Sequence, residues 1–181
     1  VGFLKDTKDF KLLPGVSEAI KKINDSGYLA IVITNQPVVA RGEVSFEKLD
    51  MIHNKMETLL GMGGAYLDDI YYCPHHPDKG FDGEIPELKI KCDCRKPNIK
   101  LIKKAALEHN IDLNNSIMIG DTTLDIKMAE NAGMESILVE TGQAGLDGKY
   151  KVDPTYVAED LMQAVDIILK SKKRGRWNGR F

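Results

Sequence analysis

Ser116-Ile117-Met118-Ile119-Gly120-Asp121-Thr122-Thr123-Leu124-Asp125 is the stretch from which the architecture is read. A short apolar run predicts a strand covered on both faces, and the carboxylate that follows is delivered onto the end of a sheet. A helix is expected over 121–132, closed by Gly133, and Ser136-Ile137-Leu138-Val139 reads as the next strand. Upstream, helical spacing predicts a helix over 99–109. Farther back, Tyr28-Leu29-Ala30-Ile31-Val32-Ile33-Thr34 is a second β-branched run, preceded by a helix carrying Val16, Ala19, Ile20 and Ile23, with Pro14 at its first position and Gly27 at its stop. Ser45 is placed to cap a helix bearing Leu49, Ile52, Met56 and Leu59 or Leu60, which the glycines at 61, 63 and 64 end. Ile70-Tyr71-Tyr72 is a brief strand, residues 73–94 a long loop, and a last helix is expected over 156–170. Helices alternating with short buried strands indicate an α/β fold with a doubly wound parallel sheet, whose ligands gather at the carboxyl ends of the strands. Thr34, Cys73, Asp121 and Glu140 fall at or near such ends.

With 181 residues, 43% hydrophobic and 29% charged, the chain has material for one core, and one domain over 1–170 is expected. The net charge of −2 hides an asymmetry: Lys170, Lys172, Lys173, Arg174, Arg176 and Arg180 are six of 25 cations, and no acid follows Asp166. Residues 171–181 are therefore expected to be a basic tail on an acidic body, a balance that argues against nucleic acid as a partner. No apolar run reaches the roughly 20 residues that cross a bilayer, and the first ten residues lack a signal-peptide pattern. A cytoplasmic protein without a membrane partner is the expectation, with a monomer as its expected state.

Cys73-Pro74-His75-His76-Pro77 and, across the long loop, Cys92-Asp93-Cys94 bring soft ligands together in two close pairs. Zn²⁺ takes such a set in a closed tetrahedron, so Cys73, His75, Cys92 and Cys94 are assigned as ligands of a structural Zn²⁺, with His76 the competing fourth. Three thiolates and an imidazole leave no open position for substrate.

Three further pieces suit phosphate chemistry. Thr34-Asn35-Gln36 ends a strand. Arg95-Lys96-Pro97 sets two cations beside the clamped loop, Arg suited to bidentate and Lys to point-charge contact with phosphate. Asp121 and Asp125, four residues apart, are expected on one face of a helix start, where carboxylates can hold Mg²⁺; the plainer reading is that Asp121 caps the helix.

A strand-end Thr, then Arg-Lys-Pro, then Gly-Asp-x-x-x-Asp resembles motifs of haloacid dehalogenase (HAD) superfamily phosphatases. The Cys-Pro-His-His-Pro and Cys-Asp-Cys-Arg-Lys-Pro blocks narrow the resemblance to the branch of D,D-heptose 1,7-bisphosphate phosphatases and histidinol phosphatases. Ala40-Arg41-Gly42 and Leu12-Leu13-Pro14-Gly15-Val16 look like the heptose enzymes. The likeness spans about residues 2–139 and implies a HAD-like Rossmannoid fold with a zinc-binding loop. It also implies that Thr34 and Lys96 stabilise the transferring phosphoryl group, that Asn35, Gln36, Arg41 and Arg95 surround the substrate with Gly2 and Phe3 at its entrance, and that Asp121 binds a catalytic Mg²⁺ with Asp125 behind it. Family members usually carry Ser-Gly-Ile where this chain has Pro37-Val38-Val39, and Lys where it has Thr122.

The activity implied is release of a phosphate from a small sugar phosphate, the C7 phosphate of D-glycero-D-manno-heptose 1,7-bisphosphate, through an aspartyl-phosphate. Its nucleophile belongs to an Asp-x-Asp-Gly motif on a central strand just upstream of Gly2. The chain begins after that point, so the sheet is expected to lack this strand and the chain to be inactive by itself. An incomplete sequence is the preferred explanation; Asp6 and Asp9 have another spacing and precede no glycine. The rival readings are a histidinol-phosphate phosphatase and a non-catalytic, zinc-stapled protein that binds a phosphorylated ligand.

Overall fold

The computed structural model describes residues 3–173. These fall into two compact units, one made of the residues up to Asn24 with Leu29–Arg95, the other of Asp25–Tyr28 with the chain from Lys96 onward. The basic residues from Arg174 on, and Gly2, lie outside the described residues.

In the first unit, α1 (Val16–Asp25) starts after Gly15, whose φ of +77° turns the chain into the helix. It begins two residues later than Pro14 suggests, and Ala19 on its inner face is fully buried. The strand β1 (Ile31–Asn35) pairs in parallel with β2 (Asp69–Cys73), in the register Thr34↔Tyr72 and Asn35↔Cys73. The Gln36 N–H donates to the Cys73 carbonyl at 2.8 Å and carries the pairing one residue past the strand. Register thus sets Thr34-Asn35-Gln36 beside Cys73.

Two further helices connect these strands: α2 (Pro37–Ala40) and α3 (Phe46–Met62). The single helical turn α2, absent from the sequence reading, forms because Pro37 is preset for a first helical position and all four of its residues are buried. Val38, Val39, Val44 and Leu49 make a small core there, with Tyr72, Ile85 and Leu88 against it. Ser45 caps α3, its hydroxyl accepting from the Lys48 N–H at 3.2 Å.

The second unit runs α4 (Lys100–Glu108), β3 (Ile117–Gly120), α5 (Thr123–Ala132), β4 (Glu135–Val139), β5 (Tyr156–Ala158) and α6 (Leu161–Lys173). Its three strands pair in parallel in the order β3-β4-β5. Ile137, Val139, Ala158, Ala164 and Ile168 form its core, with Tyr28, Ile117 and Ile119 packed alongside. All pairings are parallel, as the alternation predicts, but the described strands make two sheets rather than one. The last helix starts at Leu161, not at 156: Tyr156-Val157-Ala158 extends beside β4, where Ala158 is buried and its carbonyl accepts from the Glu140 N–H at 2.9 Å. No described helix is long and apolar enough to cross a membrane.

Candidate functional site

The long loop leaves β2 at Cys73, and its return brings four predicted side chains together. Cys73 Sγ lies 3.5 Å from Cys92 Sγ and 3.1 Å from Cys94 Sγ, and Cys92 and Cys94 are 3.4 Å apart. His75 Nδ1 faces the same centre, 3.7 Å from Cys73 Sγ and 3.2 Å from Cys94 Sγ. Tetrahedral Zn²⁺ with bonds of about 2.3 Å to sulfur separates its ligands by roughly 3.7 Å, so the four atoms stand close to the required spacing. Burial pushes the thiols of Cys73 and Cys94 up from their ordinary value; a divalent cation reverses that balance by holding them as thiolates. Donor set and geometry both fit zinc.

His76, the competing ligand, turns elsewhere. Its Nε2 lies 3.0 Å from Arg41 Nη2 and accepts from it, which leaves the proton on Nδ1, a buried atom with no partner. Burial, then the charges of Arg41 and Arg95, hold its imidazole below the ordinary value, against an opposing effect of Asp78. The Arg41 guanidinium also lies 4.6 Å from the Phe81 ring centre and 5.3 Å from that of Phe3. On Phe81 a second cation sits at 4.5 Å, the Lys89 ammonium, whose side chain is 1% exposed and paired with Glu84 at 3.4 Å. The loop is sewn to α2 by the Ile85 N–H on the Ala40 carbonyl at 3.0 Å. Gly42 is required beneath it, since a Cβ there would stand 1.8 Å from the Gly83 carbonyl oxygen.

The remaining predicted residues of this unit line up along the loop and the strand end. Arg95 Nη1 donates to the His75 carbonyl at 3.2 Å, which ties the guanidinium to the cysteine–histidine cluster. Burial lowers its pKa. The Gln36 amide donates to the Thr34 hydroxyl at 3.2 Å, and Asn35 stands in register with Cys73.

In the second unit β3 delivers Asp121, as its apolar run predicts, but the helix start is different. Thr122, not Asp121, is the N-cap: its hydroxyl accepts from the Asp125 N–H at 3.3 Å while the Thr122 N–H donates to Asp125 Oδ2 at 3.1 Å. Asp121 therefore sits ahead of the helix rather than one turn from Asp125 on a shared face. Asp125 Oδ2 also accepts the Thr122 hydroxyl at 2.5 Å, and Oδ1 pairs with Lys96 Nζ at 2.6 Å. This ion pair is nearly dry, its side chains 14% and 7% exposed. Gly120 makes room for it, because a Cβ there would fall 2.3 Å from that of Asp125. Asp121 keeps its carboxylate against the loop after β4, accepting from the Gln143 N–H at 2.9 Å.

Phe81, Glu84 and Lys89 in one unit, and Gln143 in the other, are not among the residues that the sequence singles out. Their partners lie elsewhere in the chain, and no short motif announces them.

A hydrolase family model described as HAD-hydrolase-like matches residues 93–164. The D-glycero-D-manno-heptose-1,7-bisphosphate 7-phosphatase of Thermosynechococcus vestitus is 37% identical over 93% of this chain and 88% of that protein. A D-glycero-beta-D-manno-heptose-1,7-bisphosphate 7-phosphatase of Haemophilus ducreyi is 39% identical over 84% of this chain and 82% of its own length. The crystal structure of the D,D-heptose 1,7-bisphosphate phosphatase of B. bronchiseptica, complexed with magnesium and phosphate, superposes with a TM-score of 0.81 at 31% identity, covering 93% of this chain and 89% of that one. Identity of this degree over nearly the whole length makes the chain a member of the heptose-1,7-bisphosphate 7-phosphatase family of HAD-like hydrolases.

Proposed function

We propose that the protein hydrolyses the C7 phosphate ester of D-glycero-D-manno-heptose 1,7-bisphosphate. The observation that carries the reading is the dry Lys96–Asp125 pair at the end of β3, in a chain whose relatives along nearly its full length are named for that reaction. Lys96 is assigned a phosphoryl-oxygen contact: Asp125 fixes the ammonium in place, so its charge meets the transition state without reorganising. Thr34 is assigned a hydroxyl contact to the same group. Asn35, Gln36, Arg41 and Arg95 are assigned to the sugar and its second phosphate, and Phe3 to the entrance.

Asp121 is assigned to Mg²⁺, and the fit is one of donor chemistry: a hard carboxylate at a strand end, oriented by a backbone donor. When bound, Mg²⁺ would neutralise charge on the phosphoryl group. Asp125 serves behind it, as holder of Lys96 and partner of the helix cap. Cys73, His75, Cys92 and Cys94 are assigned to a structural Zn²⁺ that braces the wall carrying Arg95. The attacking carboxylate of this chemistry is expected in the Asp-x-Asp-Gly segment that precedes Gly2 in the family pattern. The same reading makes residues 1–170 the catalytic body of a monomeric, cytoplasmic enzyme of a small sugar phosphate, with 171–181 as an appended tail and no nucleic acid or membrane partner.

The test is phosphate release by the full-length protein in Mg²⁺ from heptose 1,7-bisphosphate and from histidinol phosphate. Faster release from the heptose substrate, with the C1 phosphate retained, is expected; faster release from histidinol phosphate would overturn the assignment.

A further inference from the structure

Between β4 and β5 the chain makes a tight excursion that grips the Asp121 turn at several points. The Gln143 N–H donates to Asp121 Oδ2 at 2.9 Å, and the Gly145 N–H donates to the Asp121 carbonyl at 2.8 Å. One residue into α5, the Thr123 N–H and hydroxyl both donate to the Asp147 carboxylate, each at 2.7 Å. The same hydroxyl accepts from the Tyr150 N–H at 3.2 Å.

The backbone of this excursion is bent for the purpose. Gly142, Ala144, Gly145 and Gly148 have φ of +75°, +50°, +73° and +56°, left-handed values that L side chains rarely adopt. At Gly142 a Cβ would lie 2.3 Å from Asp121 Oδ2 and 2.9 Å from its Cγ. The carboxylate occupies the space that any other residue at 142 would fill.

We propose that residues 141–150 are a positioning cradle for the Asp121 carboxylate, and that Asp147 is the pin that holds the cradle on the first turn of α5. The backbone donor engages Oδ2 and the bare Cα of Gly142 receives the carboxylate's edge, so the direction of the remaining oxygen is set before any cation arrives. Groups that orient a metal-binding side chain in this way typically change metal affinity by about 10–100-fold when removed. Asp147 suits its place, since an acid whose charge meets the N–H groups at a helix start is stabilised there. It touches neither cation nor substrate and is a positioning residue.

The inference rests on the reading that Asp121 binds the divalent cation, and the test separates the two. Mn²⁺ alone is titrated into the full-length protein and its binding followed by electron paramagnetic resonance, with melting temperature recorded for each variant without metal. Asp121→Asn should abolish binding at this site. Gly142→Ala should weaken it by about 10–100-fold and Asp147→Ala by about 10-fold, while Thr123→Ser, which keeps the hydroxyl, should bind as the parent does. Thr123→Val, a small isosteric change that removes only the pinned hydroxyl, covers the case in which Gly142→Ala does not fold. If Gly142→Ala, Asp147→Ala and Thr123→Val shift the melting temperature but leave Mn²⁺ affinity unchanged while Asp121→Asn loses it, the cradle is merely structural and the inference falls. If Asp121→Asn binds Mn²⁺ like the parent, the assignment of Asp121 itself falls, and the cradle with it.

Discussion

The loop of residues 73–94 and the turn of residues 120–125 both gather side chains for which an ion is proposed at the end of a strand, yet they are held in opposite ways. In the turn, hydrogen bonds and an ion pair hold the carboxylates: Asp125 by Thr122 and Lys96, Asp121 by Gln143. In the loop, three sulfurs and a ring nitrogen converge within 4.8 Å of one another. A hydrogen-bonded carboxylate is stable in place before a cation comes. Converging thiols are not, because burial disfavours their charge and neutral thiols bond weakly. On the assignments proposed above, the turn is prefolded for its cation, whereas in the loop zinc would be part of the fold.

The largest effect expected from this contrast is on the loop. Cys92→Ser removes one soft ligand, and the protein should no longer retain one equivalent of zinc through gel filtration. Limited proteolysis should then cut within 74–91 and leave the turn intact. Next comes the turn: Lys96→Met leaves Asp125 buried without its countercharge, which costs about 3–5 kcal/mol in comparable buried pairs, and should remove the phosphoryl contact proposed for Lys96, worth about 10²–10³ in kcat. Denaturant melts and steady-state kinetics check the two numbers, and a variant that loses stability without losing kcat would take Lys96 out of the chemistry.

Much of this was legible in the sequence and some was not, for identifiable reasons. The strands around Thr34, Tyr71 and Ile119 announce themselves by short apolar, β-branched runs, although every residue of Ile31–Asn35 and Ile117–Gly120 is only partly buried rather than covered on both faces. The convergence of Cys73, His75, Cys92 and Cys94 was readable because coordination chemistry fixes residue types and pair spacing, although only the fold separates His75, at the cluster, from His76, turned to Arg41. The helix starts two residues later than the sequence predicts: Thr122 and Asp125 form a reciprocal cap that leaves Asp121 outside the helix. The strand β5 was hidden because Tyr156-Val157-Ala158 runs straight into an amphipathic pattern, and three residues are too few to show a period of two. Phe81, between Arg41 and Lys89, and Asp147, on Thr123, were invisible because each meets partners brought near only by loop closure.

A smaller effect is expected where the loop meets α2. Gly42→Ala drives a Cβ to 1.8 Å from the Gly83 oxygen at a φ of +70°, and thermal melts should show a loss of about 1–3 kcal/mol. Parent-like stability would mean that the loop is not seated on α2 as described. The smallest effect belongs to α3. His53 is half-buried against Tyr72, ring centres 5.5 Å apart, and burial holds its imidazole below the ordinary value of 6.5. The unfolded chain therefore takes up the proton first as pH falls below 6.5, and stability declines with it, by at most about 1.4 kcal/mol per pH unit for this one group. His53→Gln should flatten that part of the melting profile between neutral and mildly acid pH; an unchanged slope would remove His53 as its source.

The contrast between the two regions is tested most directly by zinc K-edge X-ray absorption on the protein purified without chelator and then supplied with excess Mg²⁺. One zinc per chain, with three sulfur neighbours at about 2.3 Å and one nitrogen at about 2.0–2.1 Å, and with no change on adding Mg²⁺, is the predicted result. A zinc shell made of oxygen, or a folded loop in protein that carries no zinc, would contradict it.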